Sequence, residues 1–263
     1  MRDCDLRDIG VLVTRPLEQA ESLARDIRHR GGVPTIFPGV AIEPVIAGGL
    51  KRLPERLTNI DLVIFVSPTS VRIGLSALVE HYGPFEKLRI AAVGQSTAAE
   101  LKKHGITEII VPGNSSGAQA LADCPQLSQV SGWAILIVRG EGGNDTLESV
   151  LQGRGAAVTL FECYRRRSPD TTFSSVAPLI RDGRIAAWMA TSSEILDNLF
   201  HLAGEQGELL CKTPLFVNHP RVATSAFSWS VKVIFVTAGG DKGLVGGLLT
   251  WFCRLRNSTP ATE

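Results

Sequence analysis

The sequence predicts an α/β protein of two doubly wound, mostly parallel five-stranded domains. Three observations predict it. Short β-branched apolar runs alternate with amphipathic stretches. The runs are apolar at nearly every position, as in strands covered by helices on both faces. And the whole pattern is written twice: "VLVTRP" (11–16) returns as "ILIVRG" (135–140), which sets Arg15 and Arg139 124 positions apart. At that offset "RGGVPTIF" (30–37) falls on "RGAAVTLF" (154–161), and Leu23 and Ile27 fall on Leu147 and Leu151. At 125, "DLVIFVSPTSV" (61–71) falls on "AAWMATSSEIL" (186–196) and "EIIVPG" (108–113) on "VIFVTA" (233–238). Two long copies in one order indicate a duplicated half, not a solenoid of short repeats.

Taken in order, "IGVLVT" is the first strand, and the helix after it opens at Pro16. That helix carries Leu17, Ala20, Leu23, Ala24 and Ile27 at helical spacing and stops at Gly31-Gly32. "VPTIF", "DLVIFV", "RIAAV" and "EIIV" are the next strands, and "STAAELKKHG" is a helix running from a Ser96 cap to Gly105. The second copy repeats the alternation, and strand–helix alternation means βα units on a parallel sheet. Near the end, "GLVGGLLTWFC" (243–253) is too short to cross a bilayer and reads as a buried helix. Two Pro-containing, more polar stretches break the rhythm after the second strand of each copy: "FPGVAIEPVIAGG" (37–49) and "ECYRRRSPD" (162–170). They read as two chain crossings between domains. Spacing leaves open whether each domain is one contiguous copy or whether the copies exchange their first βαβ unit.

Composition narrows the chemistry. Of 263 residues, 44% are hydrophobic and 20% charged, ordinary values for a chain that buries a full core. With 27 basic and 26 acidic residues there is no global field to recruit a polyanion, and 6% aromatics argues against stacking on single-stranded nucleic acid. The five cysteines are scattered without CxxC spacing, which predicts reduced thiols in a cytoplasmic protein. The start, "MRDCDLRDIG", has no apolar segment of a secretory signal. A soluble protein with no membrane or nucleic-acid partner is expected.

In open parallel sheets ligands bind beyond the carboxyl ends of the strands, where helix N-termini present unpaired N–H groups. The residues there are "TRP" (14–16), "SPTSV" (67–71), "GQST" (94–97), "PGNSSG" (112–117), "RGEGGN" (139–144), "TSSE" (191–194), "NHPR" (218–221) and "AGGDKG" (238–243). Nearly all are small, hydroxylic or glycine, and two are arginines in matched places. That chemistry of main-chain donors, hydroxyls and guanidinium forks suits carboxylates or phosphates. Against it stands a plainer role, in which Ser and Thr cap helices and each Arg joins a salt bridge. "GEGGND" is not a dinucleotide fingerprint, since Asp145 takes the place of the last glycine, and there is no phosphate-binding GxxxxGK[ST]. No HExxH or GxSxG is present, and the five histidines lack ligand spacing, so no metal site is expected. His219, after "PLFVN", is the histidine expected near a cleft. Of the two tyrosines, Tyr82 reads as packing, whereas Tyr164 lies in the second crossing.

The ordered set "VLVTRP", "FVSPTSV", "AAVGQSTAAELKKHG", "ILIVRGEGGNDTL", "ECYRR", "MATSSEIL" and "PLFVNHPRVA" resembles uroporphyrinogen-III synthases over about residues 9–252. Val66 stands where a Thr is usual before the Ser, Thr69 and Ser70 replace an Asn and an Ala, and Ser193 takes a Pro place. The resemblance implies a discontinuous first domain (1–37 with 167–263) and a continuous second one (42–162). It also implies a two-stranded linker between them and an active-site cleft. It implies a cofactor-free reaction of a linear tetrapyrrole, hydroxymethylbilane, which loses water and closes to uroporphyrinogen III with its last ring inverted. Tyr164 is then the candidate for assisting departure of the hydroxyl. Arg15, Ser67, Thr97, Arg139 and Ser192, with the amides around Gly94 and Gly140, become candidate carboxylate ligands. Thr69, Ser70, Val71, Ser115, Ser116, Thr191, Ser193 and Arg221 complete the expected substrate contacts. A monomer is expected. The alternative from another class is a non-catalytic two-domain module that binds small anions, in which "CYRR" would be incidental.

Overall fold

The computed structural model describes residues 5–51, 53, 60–83, 88–113 and 117–258. The strands are β1 (Gly10–Val13), β2 (Val33–Ile36), β3 (Ala41–Pro44), β4 (Leu62–Phe65), β5 (Arg89–Ala92) and β6 (Ile109–Ile110). They continue with β7 (Ala134–Gly140), β8 (Ala157–Arg167), β9 (Ala187–Ala190), β10 (Leu215–Val217) and β11 (Ile234–Val236). They form a five-stranded sheet in the order β11-β10-β9-β1-β2 and a six-stranded sheet in the order β3-β8-β7-β4-β5-β6.

The pairing shows what the copies do. β1 runs parallel to β9, with Val11 opposite Ala187, and not beside β4. β4 instead runs parallel to β7, with Leu62 opposite Ile135. Each copy has therefore exchanged its opening βαβ unit with the other. The Thr14 hydroxyl donates to the Met189 carbonyl and ties the exchanged strand to its host. Accordingly, the chain divides into one unit of residues 1–41 with 167–263 and another of residues 42–166.

In the first unit, helix Leu17–His29 buries Ala20, Leu23, Ala24 and Ile27 on one face. Ala20, Leu23 and Ile27 join a core with Val11, Val13, Met189, Phe216 and Leu248, the last from helix Gly240–Ser258. In the second unit, helix Thr146–Gly153 buries Leu147 and Leu151, the counterparts of Leu23 and Ile27. Gly31 (φ 83°) and Gly155 (φ 85°), also counterparts, both end their helices in the left-handed region that glycine enters without penalty. The second unit has apolar layers on both faces of its sheet, one around Phe65, Leu136 and Phe161 and the other around Ile64, Ile137 and Leu147. β1, β4 and β9 are buried at every residue, as continuous apolar runs require.

Four expectations are corrected. The second sheet has six strands, not five, because the crossing segment supplies β3 at the open edge of β8, where the Val45 N–H also donates to the Cys163 carbonyl (3.0 Å). The second crossing is not a break after Phe161: "ECYRRR" continues β8 to Arg167, carried on by its pairing with β7. The helix expected from Ser96 begins one residue earlier, at Gln95, after a Gly94 cap that has no side chain to offer. Finally, Cys253 is disulfide-bonded, while Cys124, Cys163 and Cys211 are free; scatter along a sequence does not fix distance in a fold. Among the described residues no helix is long and apolar enough to cross a membrane.

Candidate active site

In the six-stranded sheet the strand order reverses between β7 and β4, and a doubly wound sheet opens a crevice at such a point beyond its carboxyl edge. A cavity of about 300 Å³ lies there. Val66, Val93, Ile137 and Leu147 give it an apolar lining; Ser67, Asn144, Glu148, Tyr164 and Arg166 give it polar groups. The sequence-predicted residues Ser67, Arg139, Gly140 and Tyr164 thus meet in one place within the second unit.

Ser67 follows β4 in extended conformation (φ −157°, ψ 160°) and caps the helical run that begins at Pro68. Its Oγ accepts the Ser70 N–H (3.0 Å), and its own N–H donates to Ser70 Oγ (3.1 Å), a reciprocal capping box. The run contains a π-helical turn, Val71–Leu75, a form often found beside functional sites. Gly74 sits in that turn where a Cβ would lie 2.4 Å from Val138 Cγ1, so the helix presses directly on β7.

Tyr164 is 3% exposed, and its Oη lies 3.2 Å from Ser67 Oγ. Ser67 Oγ already accepts an amide proton, which leaves its own O–H able to donate to the phenol oxygen. Either hydroxyl can be the donor in this contact. Beside it, burial pushes the Cys163 thiol up to about 12, so this cysteine is a packing group and not a nucleophile.

Arg139 is 5% exposed and engaged with its own loop. Nη1 donates to Asp145 Oδ1 (2.9 Å), Nη2 donates to the Gly143 carbonyl, and Nε lies 3.4 Å from the Gly140 carbonyl. A Cβ at Gly143 would come within 3.0 Å of the guanidinium, so the loop "GEGGND" wraps around that side chain. The Arg forms part of the cavity wall and holds the rest of it in shape.

The other predicted residues are placed as follows. Thr69, Ser70, Val71 and Thr97 are buried in helices, with Val71 in the apolar core. Gly94 caps helix Gln95–Lys103. Ser115 and Ser116 lie outside the described residues. In the first unit, Arg15 forms an ion pair with Asp241 at the start of helix Gly240–Ser258, and its buried Nε has no hydrogen-bond partner. Ser192, the counterpart of Ser67, caps helix Ser193–Ala203 by accepting the Ile195 N–H (3.2 Å), and Thr191 precedes it. Ser193 Oγ shares a hydrogen bond with Ser225 Oγ (2.8 Å). His219 caps helix Pro220–Ser228, its Nδ1 accepting the N–H of the exposed Arg221 (3.1 Å). Reading strand ends alone missed Val93, Glu148 and Arg166 as lining. Arg166 was within reach of the sequence, two residues after Tyr164 on the same strand.

A family model described as "Uroporphyrinogen-III synthase HemD" matches residues 21–239. The chain is 30% identical over 198 residues to the uroporphyrinogen-III synthase of Salmonella typhimurium, covering 74% of this chain and 80% of that protein. The synthase of Escherichia coli is 29% identical over the same shares. Among solved structures, a mutant uroporphyrinogen III synthase from Thermus thermophilus shares the fold with a TM-score of 0.61 at 20% identity, covering 95% of this chain and all of that one. A uroporphyrinogen-III synthetase from Helicobacter pylori does so with a TM-score of 0.56 at 12% identity, covering 94% of this chain and 100% of that one.

Proposed function

The chain belongs to the uroporphyrinogen-III synthase family, and from that premise we propose that it closes hydroxymethylbilane to uroporphyrinogen III, with loss of water and inversion of the last pyrrole ring. The observation that carries this reading to particular atoms is the Tyr164–Ser67 contact inside the switch-point cavity.

The proposed roles follow from proton bookkeeping. The phenol of a tyrosine is protonated at neutral pH, as a donor to a departing hydroxyl must be. Tyr164 gives its proton to that oxygen, the carbon–oxygen bond breaks with its electron pair on oxygen, and water leaves. The positive charge left on the substrate spreads into the pyrrole. Ser67 donates to the phenolate, and the Ser70 amide polarises Ser67 in turn, so the developing negative charge meets dipoles that are already oriented. For inversion, the cation is attacked by the carbon of the last ring that already carries a methylene bridge. The bond from that carbon to the old bridge then breaks, and the cation this releases on the neighbouring ring is taken by the last ring's free, hydrogen-bearing carbon. The proton lost there restores the phenol, and the sum is cyclisation with inversion plus one water.

At about 300 Å³ the cavity is at the small end for ligand sites. It suits one substituted pyrrole with its side chains, not a whole bilane, and the apolar walls favour the ring while the polar groups fix its direction. An unguided bilane closes without inversion, so control of geometry is the task; preorganisation carries it, without a strong nucleophile or a cofactor. On this reading the enzyme is a cyclising carbon–oxygen lyase.

The test is incubation with freshly made hydroxymethylbilane and chromatographic separation of the type I and type III products. Wild-type protein is expected to give type III. Tyr164→Phe is expected to keep the fold and lower kcat by roughly 10²- to 10⁴-fold, the usual range for a positioned proton donor. Type I product alone from the wild-type protein would sink the assignment, and wild-type turnover by the Phe variant would remove Tyr164 from the mechanism.

A further inference from the structure

We propose that Gly140 and a β-bulge at Cys163 form one positioning device for Tyr164; the inference rests on the reading of Tyr164 as the proton donor. β7 and β8 pair in even register from Ala134 opposite Ala157 to Arg139 opposite Glu162. The next pair is Gly140 opposite Tyr164, so Cys163 is an extra residue on β8. In an unbroken strand Phe161 and Cys163 would face one way and Tyr164 the other. The extra residue turns Tyr164 to the same side, and all three join one core cluster. Beyond the bulge the Tyr164 carbonyl accepts the Glu141 N–H (2.8 Å), which holds the turned residue in place.

The turn brings the ring over Gly140. A Cβ there would lie 2.7 Å from Cε2 and Cζ of Tyr164 and 3.1 Å from Oη. Gly140 is not among the residues with positive φ, so its backbone does not require glycine. The ring requires it. Ordinary van der Waals contact needs about 3.4–4 Å, so a methyl group displaces the ring by about 1 Å. A 3.2 Å contact with Ser67 does not survive such a shift, and a displacement of that size at a reacting group costs up to about 10²-fold in rate. Gly140 touches the phenol and acts through it; it is a positioning residue.

Five variants test this: Gly140→Ala, Tyr164→Phe, the two combined, Tyr82→Phe as a background in which Tyr164 is the remaining tyrosine of the two, and that background with Gly140→Ala. Gly140→Ala is expected to lower kcat by roughly 10- to 100-fold with KM little changed. It should not lower kcat further when added to Tyr164→Phe. In the Tyr82→Phe background, tetranitromethane is expected to nitrate Tyr164 several-fold faster once Gly140 is alanine, because the ring has left its buried seat. Equal losses of kcat in the Tyr and Phe backgrounds, or an unchanged nitration rate, would overturn the proposal. Wild-type turnover by Tyr164→Phe alone fails the underlying reading instead, and it is seen before Gly140 is altered. If Gly140→Ala does not fold, Gly140→Ala with Tyr164→Ala removes the ring that the methyl meets. Recovery of the fold supports the ring as the obstacle; persistent unfolding overturns it.

Discussion

Arg139 and Tyr164 show how differently two side chains at neighbouring strand ends can be used. Both are nearly buried and both line the cavity, yet the guanidinium is satisfied by its own loop while the phenol shares a single hydroxyl contact. An arginine with a carboxylate and loop carbonyls around it stabilises the loop first. Arg139→Ala is expected to cost about 2–4 kcal/mol, since hydrogen bonds to a charged group contribute about 1.5–3 kcal/mol each, and to lower Tm by several degrees. Steady-state kinetics on the same variant decides its second role. A raised apparent KM would show that it also takes a substrate carboxylate, and an unchanged KM with a lower Tm would leave loop support as its whole contribution. Arg139 was legible as a strand-end arginine. Its partners were not, because Asp145 and Gly143 lie in a loop whose path depends on the strand register above it.

At the scale of elements, the helical run after β4 both caps itself and aims the site. Ser67 serves as cap for Ser70 and as neighbour of Tyr164, and the two uses can be separated by substitution. Ser67→Ala is expected to cost about 1 kcal/mol of stability, and Ser67→Gly only a few tenths, because glycine is tolerated at a cap. Both remove the hydroxyl, so both should lower kcat alike, while Ser67→Thr retains cap and turnover. Thermal melts beside kcat values check this; a kcat that tracks stability across the three variants would reduce Ser67 to a cap. The helix faces, the Gly31 and Gly155 stops and the buried strands were all readable, since each follows from periodicity or from local backbone preference. The π turn at Val71–Leu75 and the bulge at Cys163 were not. Both are local departures that neighbouring strands enforce, and no spacing rule announces them.

Considered whole, the molecule consists of two units that each close their own core from chain pieces of both copies. The second unit is continuous in sequence and has apolar layers on both faces of its sheet, all drawn from residues 42–166. That segment is therefore expected to fold when expressed alone, with a single cooperative thermal transition and retention of near-ultraviolet circular dichroism. A broad, non-cooperative melt would show that it depends on the rest of the chain. The first unit should not fold from either of its pieces alone, because β1 and β2 arrive from one end of the chain and β9–β11 from the other.

The residue pattern by itself determined the α/β class and the duplication, and it singled out the polar strand ends, several of which line the cavity, because apolar periodicity and cap residues are local properties of a chain. It also kept Tyr164 apart from Tyr82, and Tyr164 is the one that lines the cavity. The partnership of β1 with β9 and of β7 with β4, and hence the place of the cavity, was decided only in three dimensions. The two copies offer nearly equivalent strands to one another, so the choice between pairing within a copy and pairing across copies depends on how the crossing segments run and on which cores close. Neither is a property of any short stretch of sequence.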